Sequence, residues 1–486
     1  MNAVHKVNFT FLGVIIFVYV LLTAGCLNNC YFWDVVQQVS KEAHWYYQTN
    51  FKYLIIPSQN SLSDIVATGY HPPLMGMLTA ALWKIFGVHL WISHLLTLIC
   101  FFVLLYQTLK LVEKFFPAHQ AGWVMLVVFL EASLLAQFSI ASPDFILLTA
   151  FIASLRGLLE RNTWLSSIAL IFLFGINMRG IFAGIALWMS FQLFLYLNSE
   201  KKFSFTLLAA SIRPFLPAII LSLIYFIFYF RMNGWFSGVS EEGGHYSLPE
   251  NISMIGKHFF EFLLRSVENG RIIVWVFSLF AFYWIAKKKV PISNELKMLI
   301  CCFLMLFSIY FLFVFITRMP FSARYFMPHF FLLTLITLSV FSFRLPETKW
   351  KATVLVFLLF ELTGHLWIYP EKMAKSWDCT LAHLPYYELR KQCFDYIDRQ
   401  NMDYERISAG FCLYGDRGFT ELNQAGKKVG TQLDNQYFIY SNISNLPDEW
   451  IDELHNPAHW KPLRTFEKWP VHITVFENIS FKQTEK

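Results

Sequence analysis

The stretch His71-Pro72-Pro73-Leu74-Met75-Gly76-Met77-Leu78-Thr79-Ala80-Ala81-Leu82-Trp83-Lys84-Ile85-Phe86-Gly87 decides how this chain is threaded. It is apolar enough to be taken for a membrane crossing, yet Pro72-Pro73 suits the first turn of a new helix. If 72–87 crosses, every later connection changes side. If it lies along a membrane surface as an interfacial helix, the basic residues of the whole chain sort to one side, so the surface reading is adopted.

Working outward, the 486 residues are 56% hydrophobic, 19% aromatic and 15% charged, too apolar for an ordinary soluble domain. Apolar runs of about 20 residues ending in charge or proline predict transmembrane helices, about eleven of them. They cover 8–28, 90–112, 120–140, 144–159, 164–179, 181–199, 205–230, 271–286, 297–317, 326–343 and 351–369. The first could be misread as a cleaved signal, and Leu22-Thr23-Ala24-Gly25-Cys26 faintly resembles a lipoprotein cleavage site. Its apolar run is long for a signal peptide, so a retained anchor is expected.

With His5 and Lys6 cytoplasmic, Lys110 with Lys114, Arg156 with Arg161, Lys201 with Lys202, Lys287-Lys288-Lys289, and Arg344 with Lys349 fall inside. The net charge of +6 is thus a matter of topology, and no zinc-finger or RNA-binding motif points to nucleic acid. The expected organisation is a membrane domain over 1–369, with outer loops at 29–89 and 231–270, and a small outward α/β domain over 370–486. In that tail Leu389, Cys393, Phe394 and Ile397 recur at helical spacing, while 406–414, 436–443 and 471–477 read as strands. Cys379 and Cys393 are a candidate bridge among eight cysteines. No CxxC pair or HExxH motif argues for a tightly bound metal.

Asp34 follows the first span within Tyr31-Phe32-Trp33-Asp34. A carboxylate at the edge of a low-dielectric region could act as a general base on an acceptor hydroxyl; it could equally cap a helix. Asp144, after Ser142-Pro143, carries the same ambiguity. The two share the outer face, where they could orient an acceptor or hold a divalent metal ion. Arg179, Arg318 and Arg324 stand at outer helix ends, where arginine is disfavoured by charge-sorting statistics. Phosphate binding is one reason for them, and anchoring to headgroups is the other. His71 could donate to a phosphate. Trp33, Tyr325, Glu242 and His245 are further candidates for walling a cavity. His94 and His365, near span ends, read as interfacial side chains. Glu131 and Glu361 lie within spans and are functional candidates by default.

Taken together, Asp34, the His71-Pro72-Pro73-Leu74 signature with Lys84-Ile85-Phe86-Gly87, Asp144, Asn177-Met178-Arg179-Gly180 and Ala323-Arg324-Tyr325-Phe326-Met327-Pro328 resemble a glycosyltransferase of the GT-C class. The similar group contains protein O-mannosyltransferases and lipid A aminoarabinose transferases. The resemblance covers about 30–345 in order. It implies a polytopic α-helical fold, a sugar donor on a polyprenyl phosphate, transfer with inversion at the outer face of the inner membrane, and a glycan, lipid or protein acceptor. By position it implies that Asp34 is the base, that Asp144 assists or contacts a metal, and that Arg179, Arg324 and His71 hold the lipid phosphate. Many relatives have Asp-Glu where this chain has Asp34-Val35, and the tail is not the β-trefoil of the eukaryotic mannosyltransferases. Competing readings are a lipid-linked oligosaccharide polymerase or ligase, a transporter or flippase working through Glu131 or Glu361, and a non-catalytic scaffold.

Overall fold

The computed structural model describes residues 9–56, 71–199, 204–234, 248–318, 320–373, 376–424 and 426–481. The predicted Glu242 and His245 lie outside them.

The chain opens with α1 (Phe9–Cys26), an unbroken apolar helix. A six-residue π-helical segment, Val36–Lys41, leads into α2 (Glu42–Gln48). The decisive stretch forms α3 (Leu74–Phe86). Its 13 residues rise about 20 Å, short of the roughly 30 Å hydrocarbon core. One face, with Met75, Thr79, Ala80 and Trp83, is buried, while Ile85 is 71% exposed. The main bundle continues with α4 (Trp91–Phe115), α5 (Ala118–Phe129), α6 (Ala132–Ser139), α7 (Pro143–Leu159), α8 (Thr163–Ile176) and α9 (Met178–Leu197). Then come α10 (Phe205–Ile212), α11 (Leu216–Asn233), α12 (Ile252–Val267), α13 (Ile272–Ala286), α14 (Asn294–Ile316), α15 (Met327–Arg344) and α16 (Glu347–Thr363).

Among the described residues five helical stretches are long and apolar enough to cross a membrane, or seven if each of two bent pairs is one span. The expected eleven therefore exceed what helix length and composition support. Two breaks account for part of the difference. The predicted span 120–140 bends by 61° between α5 and α6, because the Glu131 carboxylate accepts from Leu134 N and starts a new helix. The predicted span 271–286 is half of a second pair, α12 and α13, bent by 87°. Gly270 makes that turn at φ 84, where a Cβ would come within 2.1 Å of Phe360 O. The segment 231–270 is accordingly no open loop, since α12 fills much of it.

Beyond α16 the tail folds as expected in kind. Helix α17 (Pro385–Arg399) buries Leu389, Cys393, Phe394 and Ile397. Strands β1 (Ile407–Ala409), β2 (Gly415–Asp416), β3 (Lys428–Val429), β4 (Tyr437–Ser441), β5 (Trp460–Lys468) and β6 (Val471–Asn478) follow, with short helices α18 (Arg417–Glu421) and α19 (Asp448–Leu454) between them. The main sheet runs β1-β4-β6-β5, with β1 parallel to β4 and the other pairs antiparallel. Ile439 faces Val475 and Phe438 faces Phe476 across its central pair. Strand β5 escaped the sequence reading because it is a charged edge strand containing Pro462, with little apolar alternation. Cys379 and Cys393 are both free buried thiols, so the candidate bridge is absent.

The tail is tied to the first loop. Tyr31 N donates to Thr420 O at 2.9 Å, Ser40 Oγ donates to Phe419 O, and Trp33 meets Phe411 edge-on at 5.0 Å. Phe32 stacks on His383, whose imidazole burial pushes down to about 4, so the ring is neutral at pH 7. Loop, tail and helical bundle share one apolar core.

Candidate active site

Asp34 enters its position through an unusual backbone. Trp33 adopts φ 54, a left-handed conformation that costs a non-glycine residue about 1–2 kcal/mol. The π-helical segment begins two residues after Asp34. Asp34 O accepts from Gln37 N and Gln38 N, but the carboxylate caps nothing; its Oδ2 ion-pairs with Arg324 Nη2. The capping alternative is thereby set aside. Asp144 is likewise no cap, because Ser142 Oγ performs that task by accepting from Asp144 N at 3.1 Å. The Asp144 side chain instead meets Arg179 Nη2 at 2.7 Å and Arg324 Nε at 3.1 Å.

A third carboxylate completes the cluster. Arg324 Nη1 pairs with Asp378 Oδ2, so one guanidinium touches Asp34, Asp144 and Asp378. Asp378 went unnoticed in the tail, although a signal existed: Trp377-Asp378 repeats the Trp33-Asp34 dipeptide. Gln137 Nε2 fixes its backbone by donating to Asp378 O at 2.6 Å. The neighbouring Cys379 thiol, raised by burial and so un-ionised, lies 3.4 Å from Ser322 Oγ.

The arginines are anchored as firmly. Asn177 caps α9 and accepts from both Arg179 N and Arg179 Nε. Gly180 follows because a Cβ there would strike Leu173 O at 1.8 Å, where α8 and α9 pack closely. Tyr325 lies with its ring 3.7 Å from the Arg179 guanidinium carbon and 5.3 Å from that of Arg324. Arg271, in the turn between α12 and α13, donates to Ala323 O at 2.6 Å and pairs with Glu131 at 2.8 Å. The broken helices thus hold the residue preceding Arg324.

Exposure separates the three acids. The Asp34 side chain is 34% accessible, against 6% for Asp144 and 2% for Asp378. Asp34 uses Oδ2 for the ion pair, and among the described residues its Oδ1 takes no protein partner.

The other predicted residues make contacts of their own. Trp33 is buried at 6% exposure and packs edge-on against Phe411 of the tail. His71 O accepts from Tyr225 Oη at 3.5 Å. Arg318 donates to Leu248 O at 2.9 Å and pairs at 2.8 Å with the exposed Glu250. Glu131 serves as a cap and as partner to Arg271, and Glu361 is buried beside them. A divalent ion fits poorly between Asp34 and Asp144, because the Arg324 guanidinium already supplies the positive charge between them. Among the described residues no group of three or more His, Cys, Asp or Glu side chains is arranged to hold a metal.

No protein-family model and no curated protein sequence matches the chain. Solved structures do. The crystal structure of ArnT from Cupriavidus metallidurans bound to undecaprenyl phosphate is similar at a TM-score of 0.55 and 12% identity, over 96% of this chain and 98% of that one. The same protein in the apo state is similar at a TM-score of 0.50 and 13% identity, over 96% and 97%. With helices apolar enough to cross a membrane and a small sheet in the tail, the chain is a multi-pass membrane protein with the GT-C-like fold of ArnT.

Proposed function

We propose that this protein is an inverting glycosyltransferase that moves a sugar from a polyprenyl-phosphate donor to an acceptor hydroxyl. The supporting observation is the cluster itself: three carboxylates on one buried guanidinium, with only Asp34 accessible, in the fold of a protein that binds undecaprenyl phosphate.

Asp34 Oδ1 accepts the acceptor O–H proton. The oxygen attacks the anomeric carbon, the bond from that carbon to the phosphate oxygen breaks, and polyprenyl phosphate leaves on the opposite face of the sugar. Arg324 aims Asp34 through their ion pair, while Asp144 and Asp378 hold Arg324. This changes the role assigned to the arginines. Arg179 and Arg324 are buried and committed to carboxylates, so a phosphate would compete with ion pairs already made. Arg318 is better suited to the leaving phosphate: it is 29% accessible, and besides donating to Leu248 O it is held by a surface pair with the exposed Glu250 that a phosphate can displace. His71 is a second donor toward that phosphate. The active site faces the periplasmic side of the inner membrane, where the basic clusters are sparse.

The test is transfer by purified Asp34→Asn protein with a radiolabelled polyprenyl-phosphate sugar. Transfer drops by at least a thousandfold, roughly the contribution of a general base, while donor binding persists. Near-normal turnover by folded Asp34→Asn would overturn the assignment.

The transporter reading loses support from the geometry. Glu131 is occupied as a helix cap and ion-pair partner, which is a structural use of an intramembrane carboxylate.

A further inference from the structure

A cavity of about 960 Å³ opens between α1 and the tail, away from Asp34. That is near the upper end of the range for ligand sites, roughly 300–1,000 Å³. One wall is apolar, formed by Val18, Leu21 and Leu22 of α1. It continues one turn back to Val14, 45% exposed on the same face, so the groove opens onto the surface that α1 shows to lipid. The other wall is polar, built from α17 and the turn after α18.

The polar wall sorts into two kinds of group. Its charges are already answered within the protein. Lys391 pairs with Asp395 at 2.8 Å, Glu388 with Lys468 at 2.6 Å, and Arg417 with Glu421 at 2.6 Å, while Arg390 also pairs with Glu421. Its amides are not. Asn28 and Asn29 beyond the end of α1, and Asn423 and Gln424 opposite, line the cavity, and among the described residues their side chains take no protein partner. Each amide offers two donors and an acceptor oxygen. Four such groups suit a cluster of hydroxyls, whereas an anionic headgroup meets no net positive charge, since Arg390, Lys391 and Arg417 are matched in the same wall by Glu388, Asp395 and Glu421.

We infer that this groove binds a membrane lipid with an uncharged, polyhydroxylated headgroup. Its acyl chains lie on Val18, Leu21 and Leu22, and its hydroxyls meet the four amides. The site is separate from the carboxylate cluster and does not depend on the transfer reaction.

The experiment uses the full chain in phosphatidylcholine nanodiscs, probed by native mass spectrometry with monoglucosyl diacylglycerol and, separately, phosphatidylglycerol. The glycolipid is retained in preference. Asn423→Ala combined with Gln424→Ala weakens its retention about tenfold, as expected for two lost hydrogen bonds, and leaves phosphatidylglycerol unchanged. Leu21→Trp fills the apolar wall and lowers retention independently, so a misfolded amide variant cannot hide the answer. Thermal unfolding of each variant is measured alongside. Equal retention of both lipids, indifferent to both variants, means annular lipid only and overturns the inference, as does a preference for phosphatidylglycerol.

Discussion

Arg324 Nε lies 3.1 Å from Asp144 Oδ2, and each side chain is only 6% accessible. A buried charge pair of this kind is weak evidence for stability in itself, but removing one partner leaves the other uncompensated. The cluster therefore behaves as a unit, and its members report on one another.

Arg324→Gln strands Asp378 in a buried setting and leaves Asp144 with Arg179 as its one remaining cation. The expected loss is about 3–5 kcal/mol of folding stability, read as a lower midpoint of thermal unfolding in detergent. Arg324→Lys recovers little, since one ammonium cannot present the separate nitrogens that reach Asp34, Asp144 and Asp378. Full rescue by lysine would show that charge alone, without the fork, is sufficient.

Asp378→Asn keeps the shape of the side chain and removes one negative charge from Arg324. Asp34 is then held by a guanidinium with one carboxylate fewer competing for it, and its aim is altered. Transfer per folded molecule falls about 10- to 100-fold, in the range expected when a reacting group is misplaced by a change beside it. Donor affinity stays the same, because Asp378 is 2% accessible and does not face the substrate. A drop confined to donor KM would contradict the assigned role.

Glu42 provides a pH signature. Its carboxyl lies in the first loop at 3% exposure, and burial raises its pKa well above the ordinary value of 4.5. The folded protein thus holds this proton more tightly than the unfolded chain. The corresponding stability is present below about 4.5 and is lost as pH rises toward the folded pKa. Glu42→Gln removes the dependence, so its unfolding midpoint gains on the wild type between pH 4 and pH 8. A constant difference across that range would show that Glu42 is not the group titrating.

Gly270 tests the sharp turn. With φ at 84 and Phe360 O where a Cβ would go, Gly270→Ala strains the α12–α13 junction. The cost is about 1–3 kcal/mol. Because Arg271 follows and holds Ala323 O beside Arg324, transfer falls together with stability. A variant with unchanged unfolding and unchanged transfer would mean that the turn relaxes freely.

What the sequence by itself determined was set by local chemistry. The apolar runs specify long apolar helices, Pro72-Pro73 sets the start of the short helix α3, and the apolar spacing of Leu389, Cys393, Phe394 and Ile397 specifies α17. Asp34, Asp144, Arg179 and Arg324 could be picked out because charged groups at helix ends stand out against apolar neighbours. The tertiary structure decided what local pattern cannot encode. Whether Asp34 and Asp144 cap helices or meet a guanidinium depends on Arg324 arriving from a distant part of the chain. Asp378 lies in a polar tail where one more carboxylate carries no signal, and only the packing of that tail against the first loop brings it to the cluster. The breaks at Glu131 and Gly270 were hidden for the same reason. A buried ion pair and a close backbone contact bend apolar stretches that hydropathy reads as continuous.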